Sequence, residues 1–342
     1  MDSVTQIALG AAVGEAVLGR EVGRRAALWG AILGTVPDLD VLVPMGDAVA
    51  DFTYHRSFSH SLLVLAALTP LMVWLIVRIH PQTVHLKWRW AALVYAAFAT
   101  HVLLDSLTVY GTQIFWPLIH YPVSIGSVFI IDPAYTLPLL VGVLIALGWR
   151  RGSVGQRANL VGLTLSTAYL LWGFAVQWHV ERLAARSLAL QGIEYQQLLA
   201  QPSPFNSVLW RVVAINDSRY HVGYYSLLDE SDHVKTRAIA IAPELLAGLD
   251  THWPVQRLAW FTHGFYSVER VGSAIVMSDL RMGLEPNYVF RFKVGDVGNP
   301  HPRPVTSARL PVQRDWDRLP LLWQRIWDSG VRFHFPLVER KH

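Results

Sequence analysis

The chain has 342 residues and no cysteine, and it is 52% hydrophobic but only 16% charged. Soluble domains run at about 25% charged, so this balance argues against an ordinary cytosolic globule. The lack of cysteine removes disulfides, thiolate zinc sites and cysteine nucleophiles, and a formal net charge of +4 without a dense basic block argues against nucleic acid.

Charge is unevenly spread. Residues 1–180 hold nineteen Asp, Glu, Lys and Arg, whereas residues 181–342 hold thirty-five. The first part has a membrane composition and the second a soluble one. A membrane-crossing helix needs roughly 20 apolar residues. Stretches 26–45, 62–79, 90–110, 134–149 and 160–178 meet or approach that length. A shorter run, 4–18, carries Glu15; it either spans or lies re-entrant against its neighbour. The expected fold is therefore mainly α: a polytopic transmembrane bundle of five to six spans over 1–180, followed by a small soluble α+β domain over 181–342. The spacings Gly10–Gly14 and Gly30–Gly34 let the first two helices approach closely. Arg20, Arg24 and Arg25, then Arg78, Lys87 and Arg89, then Arg150, Arg151 and Arg157 fall in alternate loops, while loops 46–59 and 111–133 hold one Arg between them. The positive-inside rule makes the basic loops cytoplasmic. The other loops, and everything after Trp178, then face the periplasm of a bacterial inner membrane.

Beyond Trp178, residues 180–197 read as a helix leaving the membrane, broken at Pro202-Ser203-Pro204. Strands are expected at 208–215 and 221–228, joined at Asn216-Asp217-Ser218, and at 267–278 and 288–294. Residues 243–249, 253–262 and 315–327 read as short helices, the last with Trp316, Leu319, Trp323 and Trp327 on one face suited to a bilayer surface. Residues 299–311 hold four prolines and read as a loop. His221, His233, His252 and His263 are isolated and read as structural.

Ionisable residues in a membrane part usually mark function, and these are grouped. Asp38 and Asp40 follow Pro37, His55 and His60 flank Arg56-Ser57-Phe58-Ser59, His101 and Asp105 are four apart, and Asp132 opens a later segment. The i, i+4 spacing puts His101 and Asp105 on one helix face. All four stretches arrive at the non-basic end. Each alone has a plain structural explanation: a buried His–Asp pair, a polar helix end, or a cap such as Ser57. Jointly they point to a divalent metal held by Asp38, Asp40, His55, His60, His101 and Asp105. Imidazole with carboxylate suits Zn²⁺ first, then Mn²⁺ or Fe²⁺, over Mg²⁺. Six candidates exceed the three protein ligands of a catalytic zinc, so a second metal or an outer layer is expected. The catalytic roles fall to Asp38 and Asp132 as carboxylates and to Arg56 as a holder of an anionic group.

The stretches Leu33-Gly34-Thr35-Val36-Pro37-Asp38-Leu39-Asp40, His55-Arg56-Ser57-Phe58-Ser59-His60-Ser61-Leu62 and His101-Val102-Leu103-Leu104-Asp105-Ser106-Leu107-Thr108 resemble the YdjM-like inner-membrane metal-dependent hydrolases. Gly111-Thr112 and Trp116-Pro117-Leu118 fit the same pattern, and the likeness covers roughly residues 1–140. It implies a membrane-bound, metal-dependent hydrolase with the six residues above at the metal. Gln6 stands where some members have a His, and the long C-terminal part is not shared by short members. A lipid headgroup, or a phosphoester or ester carried on a lipid, is the expected substrate, with the bilayer itself as partner. The alternatives are a metal-binding transporter and a non-catalytic membrane scaffold.

Overall fold

A computed structural model of the protein describes residues 1–149, 153–312, 319–331 and 333. The chain forms two units: Met1–Met45, Asp51–Val176 and Pro204–Asn206 make one, and Gly46–Ala50, Gln177–Ser203 and Ser207–His342 the other. The division falls inside one helix, α7 (Val154–Leu190), at Val176.

In the first unit, Asp2 caps α1 (Ser3–Val22), its carboxylate accepting the N–H groups of Val4 and Thr5. Gly23, at φ +70°, turns the chain, and α2 (Arg24–Leu33) runs back along α1. The two backbones touch. A Cβ built on Gly10 would sit 2.2 Å from the Gly30 carbonyl oxygen, and one on Gly14 would sit 2.3 Å from that of Ala26. Only glycine permits this approach. The hairpin brings Gly34 back to the start of α1, beside the Gln6 carbonyl.

Pro37 cannot donate to a continuing helix, so Pro37–Leu42 forms a 3₁₀ turn. After α3 (Ala48–Tyr54) a second 3₁₀ turn, Phe58–His60, leads to α4 (Leu62–Ile79). Ser61 caps α4 by accepting the Val64 N–H at 3.4 Å; Ser57, the expected cap, donates to the Tyr54 carbonyl instead. The α5 helix (Lys87–Ser106) returns beside α4, burying Trp90, Leu93, Val94 and Phe98 with Leu65, Ile76 and Leu18. The α6 helix (Pro133–Gly148) packs Tyr135, Leu139 and Val143 against Ala8, Leu9 and Ala12 of α1.

Among the described residues, only α4 and α7 are long and apolar enough to cross a membrane. This overturns the expected bundle of five to six spans. The 26–45 run is not one helix, because α2 ends at Leu33 after ten residues and Pro37 starts a 3₁₀ turn. Glu15, Arg20 and Glu21 interrupt α1, Lys87, Arg89 and Asp105 interrupt α5, and α6 stops at sixteen residues.

The second unit is built on sheets. One is antiparallel in the order β1 (Gln197–Pro202), β2 (Leu209–Ile215), β3 (Arg219–Ser226), β4 (Thr236–Ala240). Asn216 closes the β2–β3 hairpin, its Oδ1 accepting the N–H groups of Ser218 and Arg219. The α8 helix (Trp253–Phe261) follows. The other large sheet has the order β10 (Arg303–Arg309), β9 (Arg291–Asp296), β6 (Ala274–Asp279), β5 (Tyr266–Val271), and β7 (Gly283–Leu284) pairs with β8 (Asn287–Tyr288). Leu199, Val213, Ile215, Val222, Phe265, Leu280 and Tyr288 form a shared core, each side chain contributing about 1.5–3 kcal/mol by burial. The α9 helix (Leu319–Trp327) covers Leu209 and Tyr224 with Leu322 and Ile326.

The C-terminal part is thus mainly β-sheet, with more strand than the sequence suggested. The helix expected over 180–197 ends at Leu190, and Gln197 already begins β1. The 299–311 stretch contains β10, since Pro304 lies on an edge strand, where a missing N–H is tolerated. The 267–278 stretch is a hairpin turning at Gly272, φ +61°. Trp316 lies outside the described residues.

Candidate metal centre

Three local structures deliver the site. The first 3₁₀ turn carries Asp38 and Asp40, the second carries His60, and the last turns of α5 carry His101 and Asp105. The α1–α2 hairpin sets the first of these against α5, because it ends where α1 began. The 107–132 loop is tied down over the same end. Gln113 N–H donates to the Arg56 carbonyl at 2.9 Å, Leu62 N–H to Ile114 at 2.9 Å, and Tyr110 hydroxyl to Phe52 at 2.7 Å.

Asp38, His60, His101 and Asp105 each offer one donor atom, all within 4.8 Å of one another. His60 Nε2 lies 3.3 Å from Asp38 Oδ1, 3.2 Å from Asp105 Oδ2 and 3.2 Å from His101 Nε2. His101 Nε2 lies 3.6 Å from each of those carboxylate oxygens. Bond lengths of about 2.0–2.1 Å in a tetrahedral shell require donors about 3.3–3.4 Å apart. The five separations that involve an imidazole nitrogen, 3.2–3.6 Å, bracket that value.

The hydrogen bonds behind the rings say what faces inward. His101 Nδ1 lies 2.7 Å from the Gly34 carbonyl, which can only accept, so Nδ1 carries the proton. Ser59 Oγ donates to Asp40 Oδ2 at 2.5 Å and stands 2.9 Å from His60 Nδ1, so it accepts from that nitrogen. In their neutral form both rings therefore present Nε2 lone pairs to each other across 3.2 Å, beside two carboxylate oxygens. Asp105 Oδ2 is buried without a hydrogen bond. Asp105 Oδ2 has the Arg56 guanidinium 3.0 Å away, but Asp38 Oδ1 and the two Nε2 atoms meet with no other donor among the described residues, an arrangement that a cation stabilises. The residues fit a divalent metal, and the outer hydrogen bonds that orient both imidazoles are those expected behind metal-bound histidines.

Charge is tuned accordingly. Burial pushes the Asp38 carboxyl up, but His101 and His60 outweigh it and hold Asp38 well below the usual carboxylate range. Burial likewise works against ionised Asp40, and His55 overrides it. Burial disfavours protonated His60, yet Asp105 and Asp38 raise its pKa above the ordinary value, so without a metal a proton on His60 is favoured at the place a cation would take. The site is closed except at Asp38, whose side chain is 24% exposed, whereas those of His60, His101 and Asp105 are 0–1% exposed.

The sequence-predicted residues separate into layers. Asp38, His60, His101 and Asp105 are brought together. Asp40 and His55 are not part of that group. Asp40 accepts from the Arg56 N–H at 3.1 Å and from Ser59, and its Oδ1 meets His55 Nδ1 at 2.8 Å. Arg56 does not reach outward to an anion. It is buried, its Nε lies 3.0 Å from Asp105 Oδ2, its Nη1 donates to Thr108 at 3.3 Å, and its guanidinium stacks on Tyr110. Its φ of +64° is costly for a side chain with a Cβ, about 1–3 kcal/mol. The Asp40 and Gln113 hydrogen bonds hold that conformation. Asp132 stands apart from the group and caps α6, accepting from Ala134 at 3.0 Å and from the Tyr169 hydroxyl at 2.8 Å.

Several participants were not singled out as such: Ser59, the Gly34 carbonyl, Thr108, Tyr110 and the Met1 amino group, which bonds Asp105. Backbone carbonyls and termini leave no residue-type signal. Gln6 did leave one, as the residue standing where some members of the resembling family have a His. Its amide donates to Asp105 Oδ1 at 3.0 Å and to the His101 carbonyl at 3.3 Å, so it acts behind the ligands.

The family model described as YdjM inner membrane protein matches residues 1–180, which includes every residue of the centre. Neither the curated proteins nor the solved structures contain a match to the chain.

Proposed function

The chain belongs to the YdjM inner membrane protein family, and from that premise we propose that it is a membrane-bound, metal-dependent hydrolase acting at Asp38, His60, His101 and Asp105. The observation that carries the reading is the convergence of two imidazole lone pairs and two carboxylate oxygens within 4.8 Å, closed on every side but that of Asp38. Asp38, His60, His101 and Asp105 would hold a divalent cation, which would supply Lewis acidity and lower the pKa of a water toward roughly 7; the imidazole donors favour Zn²⁺, Mn²⁺ or Fe²⁺ over Mg²⁺.

The chain's own residues supply the rest. Gly34 and Ser59 hold the two rings in the tautomer that directs Nε2 inward. Arg56 offsets the buried charge of Asp105. Asp38, on the open side, is the donor nearest an incoming substrate. His55, with Nδ1 on Asp40, its side chain 21% exposed and its ring 5.8 Å from that of His60, would take a proton from the attacking water and return it to the leaving group.

The substrate class follows from position. His60 lies two residues before α4, one of the two candidate spans, so the centre sits where a membrane helix begins. An ester or phosphoester on a membrane-associated molecule suits that level. Arg20, Arg24, Arg25, Arg78, Lys87 and Arg89 lie at the opposite ends of α1, α2, α4 and α5, which favours a cytoplasmic basic end. The site and the C-terminal domain are then periplasmic.

The test uses the full chain in detergent, loaded with Zn²⁺ or Mn²⁺, against a chromogenic phosphodiester and a chromogenic carboxylic ester. Hydrolysis of one class, abolished by chelator and by His60→Ala, is expected. A metal-loaded protein that cleaves neither but passes the ion across proteoliposomes would replace the hydrolase with a transporter.

A further inference from the structure

At the basic end of the helical unit, a groove of about 500 Å³ runs between the end of α4 and the start of α5. Its floor is apolar, with Val73 and Val77 among the lining residues, and no acidic side chain lines it. Trp74 and Trp88 stand at its edges, 57% and 79% exposed. Arg78 and Lys87 also line it, the first 5.6 Å over the Trp74 ring and the second 5.7 Å from that of Trp88. Among the described residues neither cation has a carboxylate within ion-pair distance, whereas nearby Arg89 is bonded to Glu21 at 2.8 Å.

Two tryptophans exposed to water would be unfavourable, but at a membrane–water boundary the indole is in its preferred place. The α4 helix is a candidate span, so the groove opens toward lipid. An apolar channel with two unneutralised cations at its mouth complements an amphiphile with acyl chains and an anionic head. We propose that this groove binds one anionic glycerophospholipid, its phosphate between Arg78 and Lys87 and an acyl chain along Val73 and Val77.

The groove is separate from the metal centre. Ala91, at its inner limit, and His101 are ten residues apart on α5, about 15 Å along a helix. Lipid binding therefore succeeds or fails independently of hydrolysis.

Native mass spectrometry of the full chain in detergent, titrated with phosphatidylglycerol or phosphatidylcholine of matched acyl chains, tests this. The wild type should retain phosphatidylglycerol about tenfold better or more, as two interfacial cations predict. The variant R78Q/K87Q should bind both lipids at the phosphatidylcholine level. Its helical circular dichroism and metal content should stay unchanged, because both side chains are exposed. Equal retention of the two lipids by the wild type would overturn the proposal. So would a preference that survives R78Q/K87Q, or a dimer that excludes lipid from the groove.

Discussion

Both units bury charge, but in different ways. Among the described residues of the sheet unit each buried cation has a carboxylate: Arg211 with Glu285, Arg281 with Asp279 at 2.8 Å, and Arg325 with Asp229 at 2.6 Å. Tyr288 joins the first pair, its hydroxyl donating to Glu285 and accepting from the Tyr220 hydroxyl at 3.0 Å each. In the helical unit the three carboxylates Asp38, Asp40 and Asp105 have two cations among them, the Arg56 guanidinium and the Met1 amino group, both on Asp105, and among the described residues Asp38 faces only imidazole nitrogens within ion-pair distance. A matched buried pair can be explained by packing alone. A surplus of carboxylates with inward-facing lone pairs leaves room for a cation from outside the chain. That contrast, rather than burial itself, separates framework from site.

The comparison breaks most easily at its matched side. Arg211→Met leaves Glu285 buried without its cation and should cost about 3–5 kcal/mol, read as a lowered melting transition of the sheet unit, with metal content unchanged. Metal loss with an unshifted transition would collapse the distinction. On the helical side, Gly30→Leu forces a side chain into the Gly10 carbonyl. It should cost about 1–3 kcal/mol by overpacking and also release metal, because Gly34 no longer meets His101; retained metal would show that the hairpin does not position the centre. Asp40→Asn should weaken metal affinity roughly 10–100-fold, as loss of an outer-layer partner does, measured by competition with a chromogenic chelator. Complete loss of binding would make Asp40 a direct ligand. The smallest effect is expected at Asp132→Ala, about 1 kcal/mol from the lost α6 cap, with metal unaffected. Metal loss there would bring Asp132 into the site.

The position of the centre was readable in the order of three motifs, since His101 and Asp105 are one helical turn apart and Asp38 and His60 approach from the same end. The division into ligands and supports was not. Asp38 and Asp40 look equivalent in Pro-Asp-x-Asp, yet three residues per turn in a 3₁₀ segment turn alternate side chains to different sides, so Asp38 joins the centre and Asp40 lies behind it. His55 and His60 separate for a similar reason, with the positive φ of Arg56 between them. The span count was misread because apolar composition ignores where a helix stops. Gly34 and Pro37 divide one hydrophobic run into a ten-residue helix and a 3₁₀ turn. In the sheet unit the β2–β3 hairpin was legible from Asn216-Asp217-Ser218. Strands β1, β4 and β10 were not, because Pro202, the polar residues of Thr236–Ala240, and Pro304 weaken the alternation that marks a strand.

The central claim is that the four-residue group is a metal centre, and metal stoichiometry tests it most directly. Elemental analysis of the full chain, purified in detergent and equilibrated with Zn²⁺, should find one tightly held ion per chain. H60A and H101A should each lose it while keeping their helical content. A wild-type chain that stays folded and binds no Zn²⁺, Mn²⁺ or Fe²⁺, or one whose ion survives both substitutions, would contradict the account.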